Sequence, residues 1–217
     1  MPGIVHVVDD DASFLSAIQQ ILEASGYRVA TYASAQQLLE QQPDESKGCI
    51  LLDVRMPGIS GLELQSHLTE RGSTLPIIFL TAYPDVSITV KAIKAGADDF
   101  LIKPVGSSDL LRAIARAIAR HRHARELDGE LEALRGRLST LTPRQRQVFE
   151  IVVRGRTSKH AARELGSSER TIKAHRSAIM GKLQVQSVVE LVRIAERLGV
   201  LDAEDEGTRA NEATNGR

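Results

Sequence analysis

Five short apolar runs, at residues 4–8, 27–32, 49–52, 77–80 and 100–102, alternate with amphipathic stretches at 13–24, 35–42, 62–71 and 86–95 and a fifth that starts near Ser108. Strand followed by helix, five times over, predicts a parallel sheet with helices on both faces. Strands in such a sheet are covered on both sides, so they read as continuous apolar runs. The repeat ends about halfway along the 217-residue chain, which leaves room for a second domain.

Charge divides the chain at the same place. Residues 1–106 hold 7 Lys/Arg and 13 Asp/Glu, whereas residues 141–199 hold 12 and 5, although the whole chain is neutral. An acidic half followed by a basic half predicts two modules with different partners, and the basic one is the place to look for nucleic acid. No run of about 18 apolar residues marks a membrane span, and residues 1–8 lack the pattern of a signal peptide. Cys49 is the only cysteine, so no disulfide can form within the chain; a reducing cytoplasm is the expected setting.

The first and third strands run directly into carboxylates: Asp9, Asp10 and Asp11 after one, Asp53 after the other. In an open parallel sheet the ligand crevice lies beyond the carboxyl ends of the strands. If these two strands are neighbours, Asp9, Asp10 and Asp53 converge there, and such a cluster calls for a cation. All-oxygen ligands with room for water suit Mg²⁺. Thr81 follows the fourth strand and Lys103 the fifth, offering a hydroxyl and a cation to the oxygens of a phosphoryl group on Asp53. Taken singly, each residue also fits a plain loop or helix-capping role.

The second half opens at Thr142-Pro143, a helix-start signal. Helices are expected at about 143–154, 158–165, 168–182 and 187–198, with Gly166 at a tight turn and Ser168 as an N-cap. On the third of these, Ile172, Ile179 and Leu183 fall on one side, flanked by His175. Arg170, Lys173, Ala174, Ser177 and Gly181 fall on the other, and Arg176 lies at the rim. A small and basic outer face suits a major groove, although an ordinary amphipathic helix has the same apolar pattern. Between the halves, Leu127, Leu131, Leu134 and Leu138 form a short heptad seam, interrupted by Gly129 and Gly136. It reads either as a solvated linker helix or as a coiled coil between two subunits. No Ser-His-Asp order, zinc-ligand spacing or Gly-rich phosphate loop is present, and His121 and His123 point away from each other on a helix.

Four motifs carry a resemblance over about residues 3–120: Val7-Val8-Asp9-Asp10-Asp11, Leu51-Leu52-Asp53-Val54-Arg55-Met56-Pro57-Gly58, Leu80-Thr81-Ala82 and Phe100-Leu101-Ile102-Lys103-Pro104. Together they resemble receiver domains of two-component response regulators. The resemblance implies a flavodoxin-like, doubly wound five-stranded sheet of order 2-1-3-4-5, with Asp53 as phosphoacceptor. It implies Mg²⁺ (or Mn²⁺) held by Asp10 directly, by Asp9 largely through water, by Asp53 and by the backbone carbonyl of Arg55. It also implies that Thr81, Ala82 and Lys103 surround the phosphoryl group, that Lys103–Pro104 is cis, and that Thr81 and Phe100 form a switch pair. Tyr83-Pro84 departs from the family pattern, which puts the size of that switch in doubt.

A second set, Leu141-Thr142-Pro143-Arg144-Gln145-Arg146-Gln147-Val148, Gly155, Leu165-Gly166, Thr171-Ile172-Lys173-Ala174-His175-Arg176 and Lys182-Leu183, resembles the LuxR-type DNA-binding domain over about 139–199. That resemblance implies an all-α four-helix domain with a helix-turn-helix. Lys173, Ala174 and Ser177 would face bases, with Arg170 on the same outward face, and His175 and Arg176 would lie near phosphates. Ser158, His160 and Ala161 depart from the usual Asn, Glu and Ile, and Ala161 removes core volume.

The order of the two modules resembles the NarL/FixJ class, in its FixJ branch. The expected organisation is a receiver at 1–122, a fifth helix continuing as a linker over 108–138, the DNA-binding domain at 139–199 and a disordered tail at 200–217. The expected partners are a histidine kinase, double-stranded DNA, a second copy on phosphorylation and, as a candidate, RNA polymerase. The expected function is phosphorylation-gated transcription control rather than enzymatic turnover. An Asp-nucleophile phosphatase is the alternative from another class, but Arg55 stands where such enzymes need a second carboxylate. A third reading is a DNA-binding regulator indifferent to phosphorylation.

Overall fold

Alternation along each strand decides which helices cover which face of the sheet. The computed structural model describes residues 3–41, 48–82 and 85–201. Its first part runs β1 (Ile4–Val8), α1 (Ala12–Ala24), β2 (Arg28–Tyr32), α2 (Ala35–Gln41), β3 (Gly48–Asp53), α3 (Gly61–Glu70), β4 (Ile77–Thr81), α4 (Val86–Lys94) and β5 (Asp99–Ile102). The strands pair in parallel in the order β2-β1-β3-β4-β5, as the sequence led us to expect.

In β3, Cys49 and Leu51 point to one face, where they meet Leu15, Ile18 and Leu22 of α1 together with Leu110, Ile114 and Ala117. Ile50 and Leu52 point to the other, among Leu38 of α2, Leu64 and Leu68 of α3 and Ala92 of α4. Both sides of β3 are therefore buried along its whole length, which explains the unbroken apolar run. Burial pushes the Cys49 thiol up to about 12, so it stays protonated as a core residue. Gly61 opens α3 against the end of β3: a Cβ there would lie 2.2 Å from the backbone oxygen of Asp53, so only glycine allows this approach.

The helix α5 (Ser107–Ser139) is 33 residues long. The chain divides into two compact units after Arg125, within that helix. In the second unit follow α6 (Pro143–Val153), α7 (Ser158–Glu164), α8 (Glu169–Leu183) and α9 (Val188–Arg197). Thr142 caps α6 in a reciprocal capping box with Gln145, and Pro143 starts the helix. Ser168 caps α8 by accepting from the Thr171 N–H. Gly166, at φ +59°, makes the turn between α7 and α8. The core of this unit gathers Val148, Phe149 and Val152 of α6, Ala161 of α7, Ile172, Ile179 and Leu183 of α8, and Leu191 of α9. Ala161 is fully buried, so the loss of volume expected there falls on a packed position.

The leucines at the end of α5 have unequal fates. Leu138 is buried in the second unit's core and Leu134 packs against it, whereas Leu127 is 42% exposed. An Arg197–Glu130 ion pair at 2.8 Å ties α5 to α9. Half of the seam is thus spent inside the second unit. These contacts place 126–138, part of the expected linker, with the second compact unit. Gln42, Tyr83-Pro84 and the tail beyond Leu201 lie outside the described residues.

Leu138→Ala should destabilise the second unit by about 2–5 kcal/mol, the usual cost of truncating a buried leucine. Hydrogen exchange should speed up across α6, α8 and α9 and stay unchanged in β1 and β3. Leu127→Ala, on the exposed side of the same helix, should change stability by less than about 0.5 kcal/mol.

Candidate functional site

The same strand alternation gathers the charged groups. Asp9 continues the Val5–Val7 side of β1, and Asp53 continues the Cys49–Leu51 side of β3. Lys103 continues the Leu101 side of β5; all three residues share the face that α1 covers. Val8 and Leu52 are register partners, so Asp9 and Asp53 leave neighbouring strands at one level. The Lys103 ammonium stands between them, 2.5 Å from Asp9 Oδ2 and 2.7 Å from Asp53 Oδ1. The second oxygens are held by backbone: the Asp11 N–H donates to Asp9 Oδ1 at 3.0 Å, and the Arg55 N–H to Asp53 Oδ2 at 2.7 Å. Both carboxylates are buried. Burial pushes the Asp9 carboxyl above its usual range, against the opposing pull of Lys103 and the Asp11 N–H. For Lys103 burial acts to lower the pKa, but its bonds to Asp53 and Asp9 outweigh burial and hold the ammonium above the ordinary lysine value.

Of the three carboxylates expected to converge, Asp9 and Asp53 meet in the interior. Asp10 is exposed, and among the described residues no three Asp, Glu, His or Cys side chains gather as a metal cage. Two buried carboxylates converge instead, and the lysine supplies the positive charge that their proximity demands. Asp11 takes the plain capping role: its side chain accepts from the Ser13 and Phe14 N–H groups and starts α1. The donors that remain, carboxylate oxygens with backbone at Arg55 beside them, are hard and suit a Mg²⁺-type ion that keeps several waters.

Thr81 belongs to the opposite parity of β4, with Ile77 and Phe79, and is buried. Phe100 is half-buried on that same face, its ring centroid 6.1 Å from that of Phe79. Ala82, next to Thr81, is exposed. The Lys103–Pro104 bond is cis. Beside this edge, α4 exposes Val86, Val90 and Ile93, and β5 exposes Ile102. The α4 residues are spaced by four and three, which lines them along one helix face. One contact escaped the sequence reading: the Lys103 ammonium lies 4.1 Å from the centroid of the Phe14 ring. An aromatic three residues after the capping Asp11 was its only signal.

In the second unit Arg170, Lys173, Ala174 and Ser177 are exposed on α8, while His175 and Arg176 are half-buried. Arg176 does not simply project: its Nη1 donates to Ser158 Oγ at 2.8 Å. The serine that departs from the family pattern thus holds the guanidinium at the edge of α8. His160, another departure, is exposed and 3.2 Å from Glu164. Two further residues brace the motif. Arg144 donates to the Leu165 carbonyl at the end of α7. Lys182 donates to the Thr140 carbonyl at 2.7 Å and to Gln145 at 2.8 Å, tying the end of α8 to the start of α6.

Comparison with known proteins agrees with both halves. Residues 5–115 match the response regulator receiver domain, and residues 139–195 match the bacterial regulatory proteins of the luxR family. The response regulator protein TmoT of Ectopseudomonas mendocina is 41% identical over 196 residues, which cover 90% of this chain and 89% of that one. The transcriptional regulatory protein FixJ of Bradyrhizobium diazoefficiens is 38% identical over 200 residues, covering 92% and 98%. Among solved structures the response regulator StyR superposes with a TM-score of 0.80 at 43% identity, over 91% of this chain and all of that one. No helix among the described residues is long and apolar enough to cross a membrane. A parallel sheet with a lysine-bridged carboxylate pair at its carboxyl edge, followed by a helix-turn-helix, places the chain among the two-component response regulators of the NarL/FixJ class, phosphorylation-dependent regulators of transcription.

Proposed function

We propose that Asp53 accepts a phosphoryl group from a histidine kinase in the presence of Mg²⁺ or Mn²⁺, and that this event drives dimerisation and sequence-specific DNA binding. One observation carries the reading: a buried carboxylate at the end of β3 with a lysine ammonium 2.7 Å away. Asp53 is the nucleophile. Lys103 is a fixed cation beside the arriving oxygens, ready before the charge develops. Asp9, Asp10, Asp53 and the Arg55 carbonyl would hold the metal ion, which supplies charge neutralisation to the phosphoryl oxygens when bound. To admit it, Lys103 gives up part of its hold on the two carboxylates.

Phosphorylation adds about −1.5 to −2 of charge at Asp53. Thr81, with its neighbour Ala82, offers a hydroxyl and backbone on the side away from Lys103, and Phe100 lies on the same face, so a shift of Thr81 is felt at the ring. Lys103 follows the phosphoryl group, and Pro104 fixes the turn behind it. The exposed apolar residues of α4 and β5 form the surface that a second copy covers. Dimerisation then presents two α8 helices to the two halves of an operator. In each, Arg170, Lys173, Ala174 and Ser177 face the groove, and His175 and Arg176 lie toward the phosphates. The protein works in the cytoplasm, and RNA polymerase is a candidate partner downstream of DNA binding.

Asp53→Asn should abolish labelling by acetyl phosphate with Mg²⁺ and the accompanying gain in DNA affinity; an Asp53→Asn protein still labelled at that site would sink the assignment. Light scattering of the full chain with Mg²⁺ should show a doubling of mass when beryllofluoride is added, and no change in the Asp53→Ala variant. Lys173→Ala should weaken operator binding by about 1–3 kcal/mol and relax base preference at one position of each half-site. A loss that is uniform across sequences would make Lys173 a phosphate contact instead.

A further inference from the structure

The lysine that bridges Asp9 and Asp53 has a third neighbour outside the four motifs of the pocket. The Phe14 ring centroid lies 4.1 Å from the ammonium, close enough for a cation–π contact. The lysine side chain is only 16% exposed, so water screens this contact weakly. The ammonium carries three N–H donors; one serves Asp9 and one serves Asp53, and the ring offers its negative face to the same charge.

The position of the ring is set by the carboxylate cluster itself. The Phe14 N–H donates to Asp11 Oδ1 at 3.1 Å. The Asp11 N–H donates to Asp9 Oδ1 at 3.0 Å. Asp9 Oδ2 accepts from Lys103, and Lys103 meets the Phe14 ring. The four residues close a circuit in which the start of α1 fixes one carboxylate and one aromatic face, and both grip the same ammonium. Phe14 also packs on the apolar core between the sheet and α1. A leucine could serve that packing; only an aromatic ring can serve the ammonium.

We propose that Phe14 is a positioning residue for Lys103, holding the ammonium at Asp53 and so raising the rate at which Asp53 takes a phosphoryl group. The proposal rests on the assignment of Asp53 as phosphoacceptor. A lysine has a long flexible stem, and without the ring its charge samples positions away from Asp53 more often. In the transfer an Asp53 carboxylate oxygen forms the new O–P bond, the P–O bond to the donor's acetate breaks, and acetate leaves with the electron pair. Lys103 keeps its proton throughout and meets the phosphoryl oxygens as a cation.

The test compares the full chain with Phe14→Leu and Phe14→Tyr, each checked for an unchanged thermal midpoint. With acetyl phosphate and Mg²⁺, Phe14→Leu should label about 3- to 10-fold more slowly, in keeping with the strength of a partly desolvated cation–π contact. Phe14→Tyr should stay within about twofold of the parent. In carbon-13 lysine spectra of the unphosphorylated protein, the Lys103 ε-methylene protons should be shifted upfield by the ring, lose that shift in Phe14→Leu and keep it in Phe14→Tyr; a Lys103→Arg spectrum assigns the signal. Leucine and tyrosine variants that slow labelling equally, or a leucine variant that labels at the parent rate, would overturn the proposal. If the parent protein is not labelled, or Asp53→Asn is, the phosphoacceptor assignment fails, and the lysine spectra still report on the Phe14–Lys103 pairing.

Discussion

Two buried carboxylates cannot share the edge of a sheet without a positive charge between them, and Lys103 is that charge. Its ammonium joins Asp9 and Asp53 across sequence separations of 94 and 50 residues. Burying one such charge without its partner is strongly unfavourable, so the ions are held in the fold as a set. The parallel sheet makes the set possible. It aligns the carboxyl ends of β1, β3 and β5 on one edge, and the two-residue period of each strand turns Asp9, Asp53 and Lys103 to one face. Thr81 and Phe100 fall on the other face by the same rule. Asp53 thus touches Lys103, which meets Phe14 of α1, on one face, while Thr81 and Phe100 lie on the face that carries α4.

The second unit is built on a single core gathered from α6 to α9, and the end of α5 adds to it: Leu138 enters the core, Leu134 packs on it, and Glu130 pairs with Arg197. Polar side chains then set the angles. Lys182 fastens the end of α8 to the start of α6, and Arg144 closes the end of α7. With Ile172, Ile179 and Leu183 turned inward, the opposite side of α8 is left small and basic. The outward face of α8 is thus oriented by bonds that Lys182 and Arg144 make to neighbouring helices.

Much of this was legible in the residues. Unbroken apolar runs marked the strands because both faces of the sheet are covered, and the carboxylates, threonine and lysine stood where those runs ended. Thr142, Gln145 and Pro143 announced α6, and Ser168 announced α8, because capping is a local interaction between neighbours in the chain. Less legible was chemistry that depends on direction in space. Asp9, Asp10 and Asp53 read as one converging set; Asp9 and Asp53 are buried against Lys103, while Asp10 is exposed and the adjacent Asp11 caps α1. The leucine seam read as a single stripe, yet its two ends have different partners. Arg176 read as a rim residue, and only the folded unit brings its guanidinium to Ser158.

The sequence by itself determined the order of the elements, the two-module organisation and the family, since periodicity, caps and strand-end residues are written into short stretches of chain. Only the tertiary structure decided which carboxylates meet, that the lysine stands between them, that Phe14 covers it and that the end of α5 belongs to the second core. Those outcomes depend on register between strands distant in sequence and on which side of a helix finds a partner, and no local pattern encodes either.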